Sequence, residues 1–236
     1  MSCDAPRAGS QLLVSALGHT DASEVWANIG VLCQELLEGP EYVVDQISRD
    51  GQHKTIMVWS YDKGQANGQD FVYRSMQPVS PSDYPPGLLS YTRSALDALH
   101  FRNGATHAEV IMTAQGPCLV EMNPWLMGAD GCFVNLSRAL TGTSHVDAAL
   151  DGLESERFSL LPDVPKPFEA DGGLIVFLTS YASGTVLAVD FGQLRSLPSF
   201  MASWRDKASG LQSYTSLLIK FYVCPMYIPL GICSIL

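Results

Sequence analysis

Apolar and polar positions along this chain separate into stretches of strand and helix character with clear punctuation between them. Residues 1–20 are small and polar and show no period. Thr20-Asp21-Ala22-Ser23-Glu24 offers an N-cap signal before a short helix through Val25, Trp26 and Ile29. The apolar run 31–37 breaks at Gly39-Pro40, and residues 41–46 then alternate weakly, as a strand does. Asp50-Gly51 is a turn signal, which makes 54–61 the hairpin partner of that strand. The polar, glycine-bearing segment 62–70 reads as a loop, and 71–76 as the next strand.

Pro78, Pro81, Pro85 and Pro86 mark a linker. Leu88, Leu89, Leu96 and Leu99 then fall at helical spacing, predicting a helix over 88–99. Strands predicted over 106–113 and 118–123 flank the turn Ala114-Gln115-Gly116-Pro117, and 135–140 and 146–153 look helical. After the proline-rich stretch 161–167 comes a predicted hairpin, 173–181 and 185–190, turning at Ser183-Gly184. Antiparallel strands with intervening helices define an α+β class, and no internal repeat is visible. The stretch 221–236 carries no charge. A membrane span needs about 20 apolar residues, and Lys220, Pro225 and Pro229 interrupt this one, so a membrane anchor is the lesser reading.

Composition narrows the chemistry. Of 236 residues, 47% are apolar and 16% charged, enough to build a core and too apolar for general disorder. The net charge of −10 argues against nucleic acid as the main partner, because neutralising phosphates needs a basic surface; a few local cations could still hold a small anion. Cys3, Cys33, Cys118, Cys132, Cys224 and Cys233 are scattered, with no C-x-x-C pair and no zinc spacing, as in reduced thiols of a cytoplasmic protein. The first thirty residues show no secretory signal. There is no G-x-G-x-x-G, G-x-x-x-x-G-K-[ST] or G-x-S-x-G. The five histidines (His19, His53, His100, His107, His145) never stand at i, i+4 and read as structural or exposed; Trp26, Trp59 and Trp204 read as core or rim aromatics.

The informative segment is 107–123. A hairpin centred near Gln115 places Glu109 opposite Glu121 and His107 opposite Asn123, with Glu109, Glu121 and Asn123 on one face. Opposed like charges destabilise a hairpin. A divalent cation between the carboxylates would reverse that, and two carboxylates with an amide oxygen suit Mg²⁺. The competing reading puts both glutamates on a solvated sheet face, or slips the register by one residue.

A second feature bears on the choice. Gln34-Glu35-Leu36-Leu37-Glu38-Gly39-Pro40-Glu41-Tyr42-Val43-Val44-Asp45, followed further along by the Glu-x-Asn hairpin, resembles the ATP-grasp superfamily of carboxylate–amine ligases. The similarity is to its amino-acid-ligase-like branch, in which E/Q-x-x-x-E-G-x-E-Y-x-V-D precedes an H-x-E-V hairpin ending in E-x-N. It covers residues 33–151, with a weaker match over 172–200 (SYASGTV, then LPSF). The resemblance implies an ATP-grasp C-terminal lobe, an antiparallel sheet with flanking helices, plus a small α+β C-terminal subdomain. Residues 1–32 would be the remnant of an upstream lobe, 33–151 the nucleotide- and metal-binding lobe, 168–216 the small subdomain, and 217–236 an apolar tail foreign to the family pattern.

Roles follow from the same resemblance. Gln34, Glu35 and Leu37 match the hinge that reads adenine, and Glu41 matches the acidic residue that holds the ribose hydroxyls, the alternative being a surface glutamate. Lys63 sits where the family often places a cation for the terminal phosphates, though a lone loop lysine is usually only solvated. Glu109, Glu121 and Asn123 match the residues that carry magnesium. The implied cofactors are ATP and Mg²⁺, and the implied chemistry joins a small carboxylate or amino acid to an amine through an acyl phosphate. A cytoplasmic protein, with a homodimer compatible, is expected. Three departures stand against full activity. Trp125 occupies the place of an arginine that clamps phosphate, and Trp supplies no forked cation. The following glycine pair survives only in Gly128-Ala129-Asp130-Gly131. Few residues precede the hinge, so an N-terminally truncated member is expected. The alternative is a non-catalytic remnant with at most weak nucleotide and metal binding.

Overall fold

The computed structural model describes residues 35–66, 69–128, 131–168, 172–177, 192–196, 200–205 and 219–223. The chain divides into a unit of residues 1–36 and a unit of residues 37–236, and every element described below belongs to the second.

The strands are β1 (Glu41–Arg49), β2 (Gln52–Ala66), β3 (Gln69–Pro78), β4 (Gly104–Thr113), β5 (Gly116–Asn123), β6 (Leu174–Phe177), β7 (Phe200–Arg205) and β8 (Ile219–Val223). The helices are α1 (Leu88–Ala98), α2 (Phe133–Thr141), α3 (His145–Asp151), α4 (Ser155–Leu160) and α5 (Gly192–Arg195). All eight strands join one antiparallel sheet in the order β5-β4-β1-β2-β3-β6-β8-β7. β6 falls within 168–216 and pairs with β3, and β8 falls within 217–236.

Successive residues of β1 feed two different cores. Val43 packs with Met57, Trp59, Met76 and Ile175 beneath Phe133, Leu136 and Leu140 of α2. Val44 packs with Val58, Ala108 and Val110 beneath Leu88 of α1. Both faces of β1 are therefore covered, and residues 43–48 are all buried. This explains the weak alternation in the sequence, since a strand buried on both sides has no solvent face to make polar. A third cluster, Ile47, Ile56, Ala148 and Phe158, seats α3 and α4 at the far end of the sheet. There Arg49 donates to the carbonyls of Gly152 and Leu153 at 2.9 and 3.0 Å, and Lys54 Nζ donates to Phe158 O at 2.9 Å and to Leu161 O. These cations satisfy carbonyls that helix ends leave without partners.

The first hairpin turns at Asp50-Gly51, both with positive φ, as a two-residue turn that follows strand twist requires. One expectation is corrected. Residues 62–66, read as loop, continue β2, and Lys63 pairs with Tyr73 and Gly64 with Val72. Register shifts at Asp62/Lys63 and Gly64/Ala66 let the glycine-bearing segment stay in the ladder. Helix α4 had no clear period in the sequence. The helix expected over 20–29, the hairpin arm 185–190 and Gln34 lie outside the described residues. No helix among the described residues is long and apolar enough to cross a membrane.

Candidate functional site

The site lies on the α2 face of the sheet, where β1, β2, β4 and β5 run side by side. The expected register holds at its centre: Glu109 pairs with Glu121 and His107 with Asn123. Val120 is an extra residue beyond that pair, because Val110 pairs with Leu119. This bulge leaves the carboxylate pair undisturbed and shifts only the turn half of the hairpin. Glu109, Glu121, Asn123 and His107 line one cavity of about 350 Å³, together with Tyr61, Tyr73, Met76, Trp125, Met127, Gly128 and Phe177.

Glu109 is half-buried and Glu121 exposed. The Asn123 amide N–H donates to Glu121 Oε1 at 2.6 Å. This bond uses the Asn123 amide nitrogen and one Glu121 oxygen, and the Asn123 side-chain oxygen and the second Glu121 oxygen are both acceptors. Burial acts against a charge on Glu109, and His107 and Lys63 overcome it, holding the carboxyl below its usual range. The group is thus ionised at neutral pH.

Lys63 reaches the site from β2 and pairs with Glu41 of β1 at 2.6 Å. Its ammonium also lies over the rings of Tyr61 and Tyr73, at 5.0 and 4.4 Å from their centroids. The rings themselves meet edge to face at 4.9 Å. Burial pushes the Glu41 carboxyl up despite Lys63, and Glu109 adds to that push. Of the two carboxyls, Glu41 therefore takes a proton first as pH falls. Burial works against the charge of Lys63, and Glu41 outweighs it, so its ammonium stays charged more firmly than usual.

Glu41, Lys63, Glu109, Glu121 and Asn123 are thus brought to one region. Glu35 is exposed and Leu37 half-buried in the irregular stretch before β1. Sequence reasoning gave no role to Asp45, His107, Tyr61 or Tyr73. Asp45 and His107 face each other across β1 and β4, and His107 Nδ1 donates to Asp45 Oδ1 at 2.8 Å. Burial lowers the affinity of His107 for a proton, but Asp45 and Glu109 more than compensate, raising its pKa to about 9. Histidine and carboxylate both stand in the quoted motifs, and only the long-range strand pairing shows that they touch.

The donor set fits a small divalent cation in part. Two carboxylates and an amide oxygen are hard ligands of the kind Mg²⁺ takes beside water and phosphate oxygens. Among the described residues no three His, Cys, Asp or Glu side chains group closely enough to enclose a metal by themselves. The cavity lining has two carboxylates and no Lys or Arg. A phosphate chain entering here would meet net negative charge unless a cation came with it.

The fold is shared with several solved structures, all at low sequence identity. L-amino acid ligase from Bacillus licheniformis superposes with a TM-score of 0.63 at 16% identity, over 80% of this chain and 49% of that one. Phosphoribosylglycinamide synthetase from Anaerococcus prevotii gives 0.54 at 14% identity, covering 80% and 49%. N5-carboxyaminoimidazole synthetase from Staphylococcus aureus, complexed with ADP, gives 0.54 at 10%, covering 80% and 47%. In sequence, the chain is 38% identical over 102 residues to dapdiamide A synthase of Enterobacter agglomerans, which is 43% of this chain and 24% of that protein. The chain thus spans about half the length of these structures and a quarter of that relative. No family model matches.

Proposed function

We propose that this chain is the metal- and phosphate-facing part of a cytoplasmic ATP-dependent ligase that joins a small carboxylate, such as an amino acid, to an amine through an acyl phosphate. The observation that carries the reading is the meeting of Glu109, Glu121 and Asn123 in one cavity on an ATP-grasp fold. The names of the relatives support it, since one is an L-amino acid ligase, and dapdiamide A synthase is similar over the stretch it shares.

Glu109, Glu121 and Asn123 would hold Mg²⁺, which when bound supplies the positive charge that phosphate oxygens need in this acidic cavity. Glu41 and Lys63 act as a pair. Without nucleotide each neutralises the other; with ATP in place Lys63 turns to the phosphates and Glu41 to the ribose hydroxyls. The substrate carboxylate would attack the terminal phosphate, breaking its bond to the bridging oxygen and releasing ADP; the amine would then displace inorganic phosphate from the acyl group and give up a proton. The residues of the chain contribute position and charge rather than covalent chemistry. The domain limits 33–151, 168–216 and 217–236 belong to the same proposal.

A second reading, binding without turnover, is favoured by Trp125. It stands at the cavity rim, 57% exposed, where the resemblance implies an arginine. ADP release from the purified chain against a panel of amino acids, beside Trp125→Arg, separates the two. One missing electrostatic donor typically costs about 10²–10³ in rate. Slow release by the unaltered chain, accelerated by Trp125→Arg, is expected. Fast release by the unaltered chain would remove the second reading.

A further inference from the structure

Directly behind the carboxylates lies a buried polar network that the proposed reaction leaves unused. Its hub is Asp45, a fully buried carboxylate on β1. Trp59 Nε1–H of β2 donates to Asp45 Oδ2 at 2.9 Å, and His107 Nδ1–H of β4 donates to Oδ1 at 2.8 Å. His145, at the start of α3, is also buried, with Nδ1 at 3.5 Å from Asp45 Oδ1. Its Nε2–H donates to Gln46 O at 3.1 Å, while Nδ1 accepts the backbone N–H of Met127 at 3.3 Å. That pair of bonds fixes one tautomer of a neutral ring.

Two arms leave this hub toward the cavity. On one, His107 spends its Nδ1 on Asp45, which turns Nε2 to Glu109 Oε1 at 3.7 Å. On the other, His145 holds Met127, four residues after Asn123, in the segment that forms the cavity rim. Replacing a buried charged set with apolar residues is often neutral or stabilising, so fold stability alone does not account for its presence. Outer partners that orient a ligand do account for it.

We propose that Asp45 and His107 are positioning residues for Glu109: Asp45 locks the imidazole, and the imidazole holds the Glu109 carboxylate in the cavity it shares with Glu121. This rests on the reading of Glu109 as a metal-holding carboxylate. Both act through Glu109.

The test uses substitutions that keep half of the His107 contacts. An asparagine amide can reach about where Nδ1 sits and a glutamine amide about where Nε2 sits. His107→Asn therefore keeps the bond to Asp45 and loses the hold on Glu109, and His107→Gln does the reverse. The readouts on the full chain are Mn²⁺ affinity by electron paramagnetic resonance with ATP present, metal-free ATP affinity, and the melting midpoint. His107→Asn is expected to weaken Mn²⁺ about 10–100-fold, the usual cost of losing an outer partner, with metal-free ATP affinity unchanged. His107→Gln recovers part of that loss. In a Glu109→Gln background His107→Asn should cost nothing further. A folded His107→Asn protein with unaltered Mn²⁺ affinity overturns the proposal, as does an undiminished effect in the Glu109→Gln background. If the unaltered chain binds no Mn²⁺, the metal reading falls separately. Crystal structures of the wild type and His107→Asn then decide the positioning role, and an unmoved Glu109 carboxylate overturns it.

Discussion

Charge placement within a few ångströms decides what this site can do. Lys63 and Glu41 are partly shielded from water and 2.6 Å apart, so each holds the other in place until a ligand competes. Glu41→Ala should weaken ATP more than inorganic triphosphate, because its proposed ligand contact is to ribose. One hydrogen bond to a charged group is worth about 1.5–3 kcal/mol, roughly ten- to a hundredfold in affinity. Equal losses for the two ligands, measured by calorimetry, would take Glu41 off the ribose. His107 makes a second residue-scale prediction. Its pKa is about 9 in the fold, above the usual 6.5, so it contributes stability that is fully present below pH 6.5 and lost as pH rises through 9. The loss is on the order of 1–3 kcal/mol. Buried His145 is pushed the other way, mainly by loss of solvation, so its contribution is lost as pH falls below the ordinary histidine range. Melting midpoints between pH 5 and 10 should show both slopes, and His107→Gln should flatten only the alkaline one.

Elements explain which of these contacts could be read in advance. The Glu109–Glu121 pairing was legible because a short turn fixes hairpin register locally. The Asp45–His107 contact was not, because it joins residues 62 apart through a strand pairing that no local pattern encodes. Lys63 was misplaced in a loop because Gly64 and the polar residues beside it imitate turn chemistry, while the β2–β3 ladder overrides that local preference. Apolar spacing made α1 legible, α2 and α3 fall where helices were expected over 135–140 and 146–153, and short α4 offered too few turns for a period. Gly39 gives the element-scale prediction. Its φ is +149°, and a Cβ there would strike the carbonyl of Met112, whose N–H is bonded to Pro40 O at 2.9 Å. Gly39→Ala should therefore cost more than about 1 kcal/mol in urea unfolding by straining the start of β1 against β4. An unchanged midpoint would show that this approach is relaxed at no cost.

At the scale of the whole molecule, the chain carries a net charge of −10 and its candidate cavity is lined by two carboxylates with no Lys or Arg. An anionic nucleotide bound here needs a cation to accompany it, and Glu109, Glu121 and Asn123, which meet in this cavity, are the residues proposed to hold that cation. Glu121 is exposed and carries none of the core, so its neutral isostere should leave the fold intact. The most direct measurement is calorimetric titration of ATP, with and without Mg²⁺, into the wild-type chain and Glu121→Gln. ATP should bind the wild type far more tightly with Mg²⁺ than without it, and Glu121→Gln should weaken the Mg²⁺-dependent binding about ten- to a hundredfold at an unchanged melting midpoint, as expected for one contact to a charged group. ATP binding that ignores Mg²⁺, or Mg²⁺-dependent binding that Glu121→Gln leaves intact, would contradict the assignment of the carboxylate pair.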